Sequence, residues 1–523
     1  MRRAQIIPVI ALLLLHFFIR THHILGLDPY LDEGFHVSRG AFVWDLDVNP
    51  GRISEGKFLL YYWLGIFEAP STQALAPARL SMALFSLFSG ATIFLMGRWL
   101  VNYKTGLVAL GLYAILPLAY FLERMAMADP FAAAWATLLA WRSLAFVKHP
   151  TIPRAIPLGI LMALVTMAKL TMGLVPILPI AASFIYWQWE KGRFMPQAWA
   201  WLKTYFVPLG VAGLVSLACW SPILIPAYLT RNSDHPITLV DTYNIKTVNP
   251  DEHTLGEYFW GVVPIVSEFT TKELLLVSLL AAGYWLGAGR NNARQLRNGV
   301  YVIAWLLTMG APTLYIATII TSRYMMPLAA PIALMVAYLL MSLWDSKFLT
   351  PIVRLGVVSV AALWIVNFAY PFTSDTLNDP LKLPLTGTSL VEYLSGYISG
   401  DIAIQQAGAA LDELNPKPER IYVNWSICPL VYFYTHQDLI CLDRNNILST
   451  LSEHFQNEMP DCGESIFVVS GYPDSVLNVY GIKWEFITSY QRARVNRPVK
   501  IYRATWQDKC TLNKSDDVHI LGH

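Results

Sequence analysis

The sequence predicts a mainly α fold: a polytopic bundle of about eleven transmembrane helices, followed by a C-terminal extracytoplasmic α/β domain. Three observations carry this expectation. Of 523 residues, 55% are hydrophobic and only 14% are charged, far from a soluble globular average. Apolar runs of spanning length recur between clusters of charge, proline and aromatic residues as far as Tyr370. Beyond it, apolar runs shrink to strand length and polar turns return. The expected division is 1–370 for the membrane part, with external loops at 20–79 and 230–272, and 371–523 for the outer domain.

The first element is Met1–Arg3 followed by IIPVIALLLLHFFI. A basic start and an apolar middle resemble a signal peptide, but no small-x-small cleavage site follows, so it reads as an uncleaved span. It is short for a hydrocarbon core of ~30 Å, which places Arg20, His22 and His23 at the outer interface and lets the helix run to about Leu27. Further spans are expected near Leu80–Gly97, Thr105–Phe121, Phe131–Val147, Ile156–Ala168, Leu174–Trp189, Tyr205–Leu229, Leu274–Gly287, Val300–Ile320, Met325–Trp344 and Leu355–Tyr370. Lys169, Pro176 and Pro179 interrupt Ile156–Trp189, which could instead form a re-entrant pair.

Charge sets the orientation, because Lys and Arg collect on the cytoplasmic side. One set of alternate loops holds Arg2 and Arg3, Arg98 and Lys104, Lys148 and Arg154, Lys191 and Arg193, Arg290, Arg294 and Arg297, then Lys347 and Arg354, with almost no acid. The other set holds Asp28, Asp32, Glu33, Asp45, Asp47, Glu55 and Glu68, then Glu123 and Asp129, then Asp234, Asp241, Asp251, Glu252, Glu257 and Glu268. The acidic loops are therefore expected outside and the N-terminus in the cytoplasm, as for a protein of the plasma or inner membrane. An odd number of spans then puts the C-terminal domain outside as well.

In that domain IYVNW, SIFVVS, KWEFITSY and VKIYRAT read as strands, while Asp401–Leu414 and Ile447–Gln456 have helical spacing. Cys428, Cys441, Cys462 and Cys510 could pair in an oxidising compartment, with three connectivities open; Cys219 lies in an apolar run. No glycine-rich phosphate loop or serine nucleophile motif appears. The formal net charge of +2, spread in short clusters, excludes a nucleic-acid partner.

The residues that could carry chemistry cluster on the outer side. In LDPYLDEGFH (Leu27–His36), Asp28, Asp32 and His36 follow one another at intervals of four and would share a helical face, with Glu33 partly aside. Such a cluster fits acid–base chemistry, a cation site or a plain solvated turn. A polar linker then leads to Gly56–Lys57 and FLLYYWL, whose aromatics read as an interfacial belt. FLERMAMADP supplies Arg124 and Asp129, AKLTMG supplies Lys169, and SRYMMP supplies Arg323. An ionisable residue at membrane depth is costly, which makes Lys169 a functional candidate, with snorkelling to the interface as the plain alternative. For Arg124 and Arg323 the plain alternative is contact with phospholipid headgroups. Together the cations suit a lipid-linked phosphate, with carboxylates poised to activate a hydroxyl. His22, His23 and His36 lack metalloprotease-type spacing, while a divalent cation held by carboxylates and a phosphate stays open.

In this order the motifs resemble those of the GT-C superfamily of integral membrane glycosyltransferases, close to protein O-mannosyltransferases and lipid A aminoarabinose transferase. LDEGFH is similar to the family's acidic pair in the first external loop, and GKFLLYYWL to the basic, LY-rich sequence after it, without the family's prolines. ARLSMALFSLFSGATIFLMGRWL, bounded by Arg79 and Arg98, resembles the second span, and ERMAMADP the arginine-to-aspartate motif. MAKLTMGLVPILP resembles the lysine-glycine turn and SRYMMPLAAPIAL the late arginine-tyrosine-proline element, so the likeness covers about the first 345 residues.

The resemblance implies a polyprenyl-phosphate sugar as donor, a lipid, glycan or protein acceptor, and inversion at the anomeric carbon. It places Asp32 as the base that takes the acceptor proton, and Lys57, Lys169, Arg323 and Arg124 on the leaving phosphate. Glu33 and Asp129 would orient hydroxyls or fix the cations. Two other classes compete. A transporter or lipid flippase would show internal repeats and broken helices facing each other at mid-membrane. A non-catalytic scaffold would use its outer domain to bind a partner.

Overall fold

The computed structural model describes residues 3–44, 56–67, 69–190, 194–232, 255–288, 292–316, 321–347, 349–396, 398–415, 421–442, 465–470, 482–492, 494 and 497–506. The expected helix Ile447–Gln456, the acids Asp45, Asp47, Glu55, Glu68, Asp234, Asp241, Asp251 and Glu252, and Cys462 and Cys510 lie outside the described residues. The chain divides into two compact units. The first comprises Met1–Leu27, Arg39–Phe67 and Ala76–Ser389, and the second Asp28–Ser38, Glu68–Leu75 and Leu390–His523.

The first unit is helical throughout. It contains α1 (Arg3–Thr21), the end of α2 (Leu31–Ala41), α3 (Phe58–Gly65), α4 (Leu75–Leu100), α5 (Tyr103–Ile115), α6 (Pro117–Glu123), α7 (Ala128–Lys148) and α8 (Ile152–Ala168). After two short 3₁₀ turns come α9 (Leu178–Glu190), α10 (Phe194–Thr230), α11 (Leu255–Thr270), α12 (Lys272–Ala288) and α13 (Ala293–Ile316). The unit closes with a 3₁₀ segment Ser322–Leu328, then α14 (Ala329–Asp345), α15 (Pro351–Trp364), α16 (Tyr370–Asn378) and the start of α17 (Gly387–Tyr393). The apolar runs picked out by sequence are mainly helical where they are described, with breaks at Leu116 and Leu174. Among the described residues seven helices are long and apolar enough to cross a membrane, or eight if the bent pair α5–α6 counts as one span. The chain is an integral membrane protein.

The α5–α6 break follows from one residue. Pro117 has no N–H to give Tyr113 O, and it forces Leu116 out of the helical region, to φ −74° and ψ 114°. The two helices consequently meet at a bend of 58°. The carbonyls released at Tyr113 and Ala114 accept from the Arg20 guanidinium instead, at 3.4 and 3.1 Å. Arg20 is also paired with Glu123, Nε to Oε2 at 2.6 Å, and Tyr113 donates its hydroxyl to Glu123 Oε1 at 2.6 Å. Arg20, expected at the outer interface, is thus fully buried. A buried charge holds its place only when paired and hydrogen-bonded, and the proline break supplies the acceptors.

The second unit contains a five-stranded sheet in the order β2-β1-β3-β5-β4. β1 (Ile421–Val423) runs parallel to β2 (Leu439–Cys441) and to β3 (Ser465–Ser470). β5 (Val499–Trp506) runs antiparallel to β3 and to β4 (Ile482–Tyr490). Helices α18 (Ile402–Asp412) and α19 (Cys428–Val431) complete it, with Asp401 capping α18 by accepting from Ile404 N–H. The mixed sheet with helices is the α/β domain expected from sequence, with β2 as an additional short edge strand. Cys428 and Cys441 form a disulfide that ties the start of α19 to β2.

Candidate active site

In the first unit three separated segments converge on Lys169. α8 ends at Ala168, and Lys169 turns extended, at φ −161° and ψ 120°. Its Nζ lies 2.5 Å from Asp129 Oδ1, in the first turn of α7, where the helix N-terminus favours an acid. The same Nζ sits 4.4 Å from the centre of the Tyr324 ring, and the Arg323 guanidinium sits 5.1 Å from that centre. Lys169 is 5% exposed, Asp129 3% and Arg323 9%. A ring face attracts cations most strongly where water is excluded, so Tyr324 lets two positive groups share one small region. Tyr324 was not singled out from sequence; its place beside Arg323 and before a run of apolar residues was the available signal.

Lys57 joins this region through its neighbour. Gly56 adopts φ 73°, a conformation that favours glycine, and its carbonyl accepts from Leu170 N–H at 3.0 Å. That bond fixes the start of α3 beside the residue after Lys169, and Lys57, half-buried, stands at the N-cap of α3. The structure therefore gathers Asp129, Lys169 and Arg323, and brings the backbone just before Lys57 to Leu170.

Arg124 is placed otherwise. It donates through Nη1 to Ile19 O at 2.6 Å and through Nη2 to His23 O at 2.9 Å, closing the C-terminal end of α1. Arg79, noted from sequence only as the border of a span, donates to Ile24 O at 2.8 Å and Leu27 O at 2.7 Å. It anchors the chain just before Asp28. The first unit also carries an apolar groove of about 530 Å³ between α12, α14 and α15, lined by residues such as Leu274, Leu339, Val360 and Trp364. Its walls suit a hydrocarbon chain.

The acidic motif belongs to the second unit. Tyr30 N–H donates to Glu33 Oε2 at 3.0 Å, as an acid at the third helical position does in a capping box. Glu33 is fully buried, whereas Asp32, one residue earlier in the first turn of α2, is half-buried. The two carboxylates so differ in kind: one closes the helix end and the other retains access. Asp28 accepts from Gln405 Nε2 at 3.3 Å. His36 is buried one turn beyond Asp32. In the first unit, the His22 and His23 rings stack at 4.2 Å. Among the described residues no group of three or more His, Cys, Asp or Glu is arranged to hold a metal ion.

A helical membrane unit with buried cations and a small α/β unit make up a fold that solved structures of other membrane proteins share. The chain is similar to ArnT, the lipid A aminoarabinose transferase, from Cupriavidus metallidurans bound to undecaprenyl phosphate, with a TM-score of 0.57 and 13% identity over 96% of this chain and 98% of that one. It is also similar to the archaeal oligosaccharyltransferase AglB from Archaeoglobus fulgidus in complex with an inhibitory peptide and a dolichol-phosphate, with a TM-score of 0.54 and 11% identity over 89% of this chain and 69% of that one. At these identities the likeness is one of fold. No protein-family model and no curated protein matches the sequence.

Proposed function

We propose that this chain is a glycosyltransferase that moves a sugar from a polyprenyl-phosphate donor to a lipid, glycan or protein acceptor on the extracytoplasmic side of the plasma or inner membrane. The observation that carries the reading is the buried cluster of Lys169 and Arg323 around Tyr324, with Asp129 beside it, on a fold shared with proteins solved with polyprenyl phosphates.

In this reading Asp32 takes the proton of the acceptor hydroxyl as its oxygen attacks the anomeric carbon, and the bond from that carbon to the phosphate oxygen breaks. The configuration inverts and the polyprenyl phosphate leaves. Lys57, Lys169 and Arg323 hold the charge that grows on the phosphate, in a poorly hydrated site where fixed cations act strongly. Asp129 fixes Lys169, Glu33 fixes the turn that presents Asp32, and Arg124 holds the end of α1 rather than the phosphate. The apolar groove between α12, α14 and α15 has the character required by the donor's hydrocarbon.

The test is a panel of radiolabelled polyprenyl-phosphate sugars offered to the purified full chain in lipid nanodiscs. Transfer of label with at least one donor, lost in Asp32→Asn, is the expected result. Ligand-stimulated flux in vesicles with no glycosyl product from any donor would overturn the reading in favour of a transporter.

A further inference from the structure

The turn that carries Asp32 is built from parts of the second unit far along the chain. Leu31 N–H donates to Ile398 O at 2.9 Å, and Gly400 N–H donates to Pro29 O at 2.7 Å, making an antiparallel bridge between Tyr30 and Ser399. Two residues after Asp32, Gly34 lies against α19 so closely that an added methyl would fall within 2.6 Å of the Pro429 carbonyl carbon. The next side chain, Phe35, packs on Trp425 with ring centres 5.4 Å apart. Pro429 follows Cys428, the buried half of the Cys428–Cys441 disulfide. Cys441 is exposed, on an edge strand that pairs with β1 over three residues only.

We propose that Cys428 and Pro429 are positioning residues for Asp32, so that transfer runs at full rate only while the Cys428–Cys441 bond is intact. The contact between Gly34 and Pro429 is backbone on backbone, with no flexible side chain to absorb a shift, so movement of the first turn of α19 passes directly to α2. Displacement of a reacting group by about 1 Å costs on the order of a hundredfold in rate. Cys441 is an exposed residue, which offers a thiolate a route to the bond. Two electrons from a dithiol convert it to two thiols, and the dithiol closes to its own disulfide. The rate effect rests on the reading of Asp32 as the base, whereas the coupling of the disulfide to the α2 turn does not.

The experiment uses the full chain in nanodiscs in four states: oxidised, reduced with dithiothreitol, reoxidised, and the double variant Cys428→Ala/Cys441→Ala. Amide hydrogen exchange over 30–36, binding of undecaprenyl phosphate, and kcat and KM for transfer from an undecaprenyl-phosphate sugar are measured in each. Reduction should speed exchange over 30–36 at least tenfold and lower kcat at least tenfold, with KM and carrier affinity within twofold. Reoxidation should restore both. The double variant should match the reduced protein and ignore the dithiol, which separates this bond from the other cysteines. Unchanged exchange overturns the coupling, and a kcat loss that tracks a rise in KM or a loss of carrier affinity shows general unfolding and overturns it too. If exchange responds while Asp32→Asn transfers at the wild-type rate, the coupling stands and the assignment of the base falls.

Discussion

Asp129 Oδ1 and Lys169 Nζ approach to 2.5 Å with their side chains 5% and 6% exposed, which removes a full ion pair from water. The acid offsets charge on Lys169, whose Nζ shares the Tyr324 ring with the Arg323 guanidinium. In the proposed reading a phosphate meets a fixed, partly offset frame.

Breaking such a pair strands the surviving charge, at a cost of about 3–5 kcal/mol. Asp129→Ala and Lys169→Ala should each destabilise the chain by that amount in thermal unfolding in nanodiscs. The double variant Asp129→Leu/Lys169→Met should cost clearly less than the sum of the two single changes. Of the three, Asp129→Ala should retain measurable undecaprenyl-phosphate binding, and both variants lacking Lys169 should lose it.

Glu33→Gln and Asp32→Asn should separate two roles within one turn. Glutamine keeps an oxygen to accept from Tyr30 N–H, so Glu33→Gln should lower transfer less than tenfold. Asp32→Asn removes the proposed base and should lower kcat by about a hundredfold or more with the protein still folded. The check is transfer kinetics alongside carrier binding; equal losses in the two variants would refute the division.

The buried Arg20 provides a structural prediction with no reference to substrate. Arg20→Leu leaves the buried Glu123 with Tyr113 but no cation, and the carbonyls released by Pro117 without the guanidinium, and should destabilise by about 3–5 kcal/mol. Adding Glu123→Leu to it should recover part of that loss. Unfolding followed by intrinsic fluorescence in nanodiscs reads the difference.

The second unit should weaken in acid. Burial pushes the Asp412 carboxyl up, but hydrogen bonds from His436 and Thr435 outweigh it and hold the group below the ordinary aspartate range. Thr435 Oγ1 donates to it at 2.7 Å and His436 N–H at 2.9 Å. A folded value below the unfolded one of about 3.9 gives stability that is present above that pH and disappears as pH falls through the folded value. Protection of the His436 amide, taken relative to the intrinsic exchange rate at each pH, should therefore fall below about pH 4, and Asp412→Asn should remove that dependence.

Charge at membrane depth made much of the first unit legible. Lys169 stands out in sequence because apolar surroundings make it costly, Asp129 and Arg323 because they flank spans in charged motifs, and these three meet around Tyr324. Arg124 stands out as a cation at a span end, but its partners are the carbonyls of Ile19 and His23, and no local pattern reports which carbonyls a helix end leaves open. The burial of Arg20 is not legible in sequence because its acceptors at Tyr113 and Ala114 exist only once Pro117 has broken the helix. β2 is too short and too exposed to show an alternating pattern. The membership of Asp28–Ser38 in the second unit rests on pairing with residues beyond 390, and only the folded chain contains that information.

The bond between Asp28 and Gln405 spans 377 positions, and it implies an order in time. At about 5–20 residues per second, the acidic turn emerges from the ribosome roughly 20–75 s before the segment that receives it. Throughout that interval the turn of α2 lacks the partners at Ile398, Gly400 and Gln405 that hold it. A truncated or stalled product would thus carry this turn without its support.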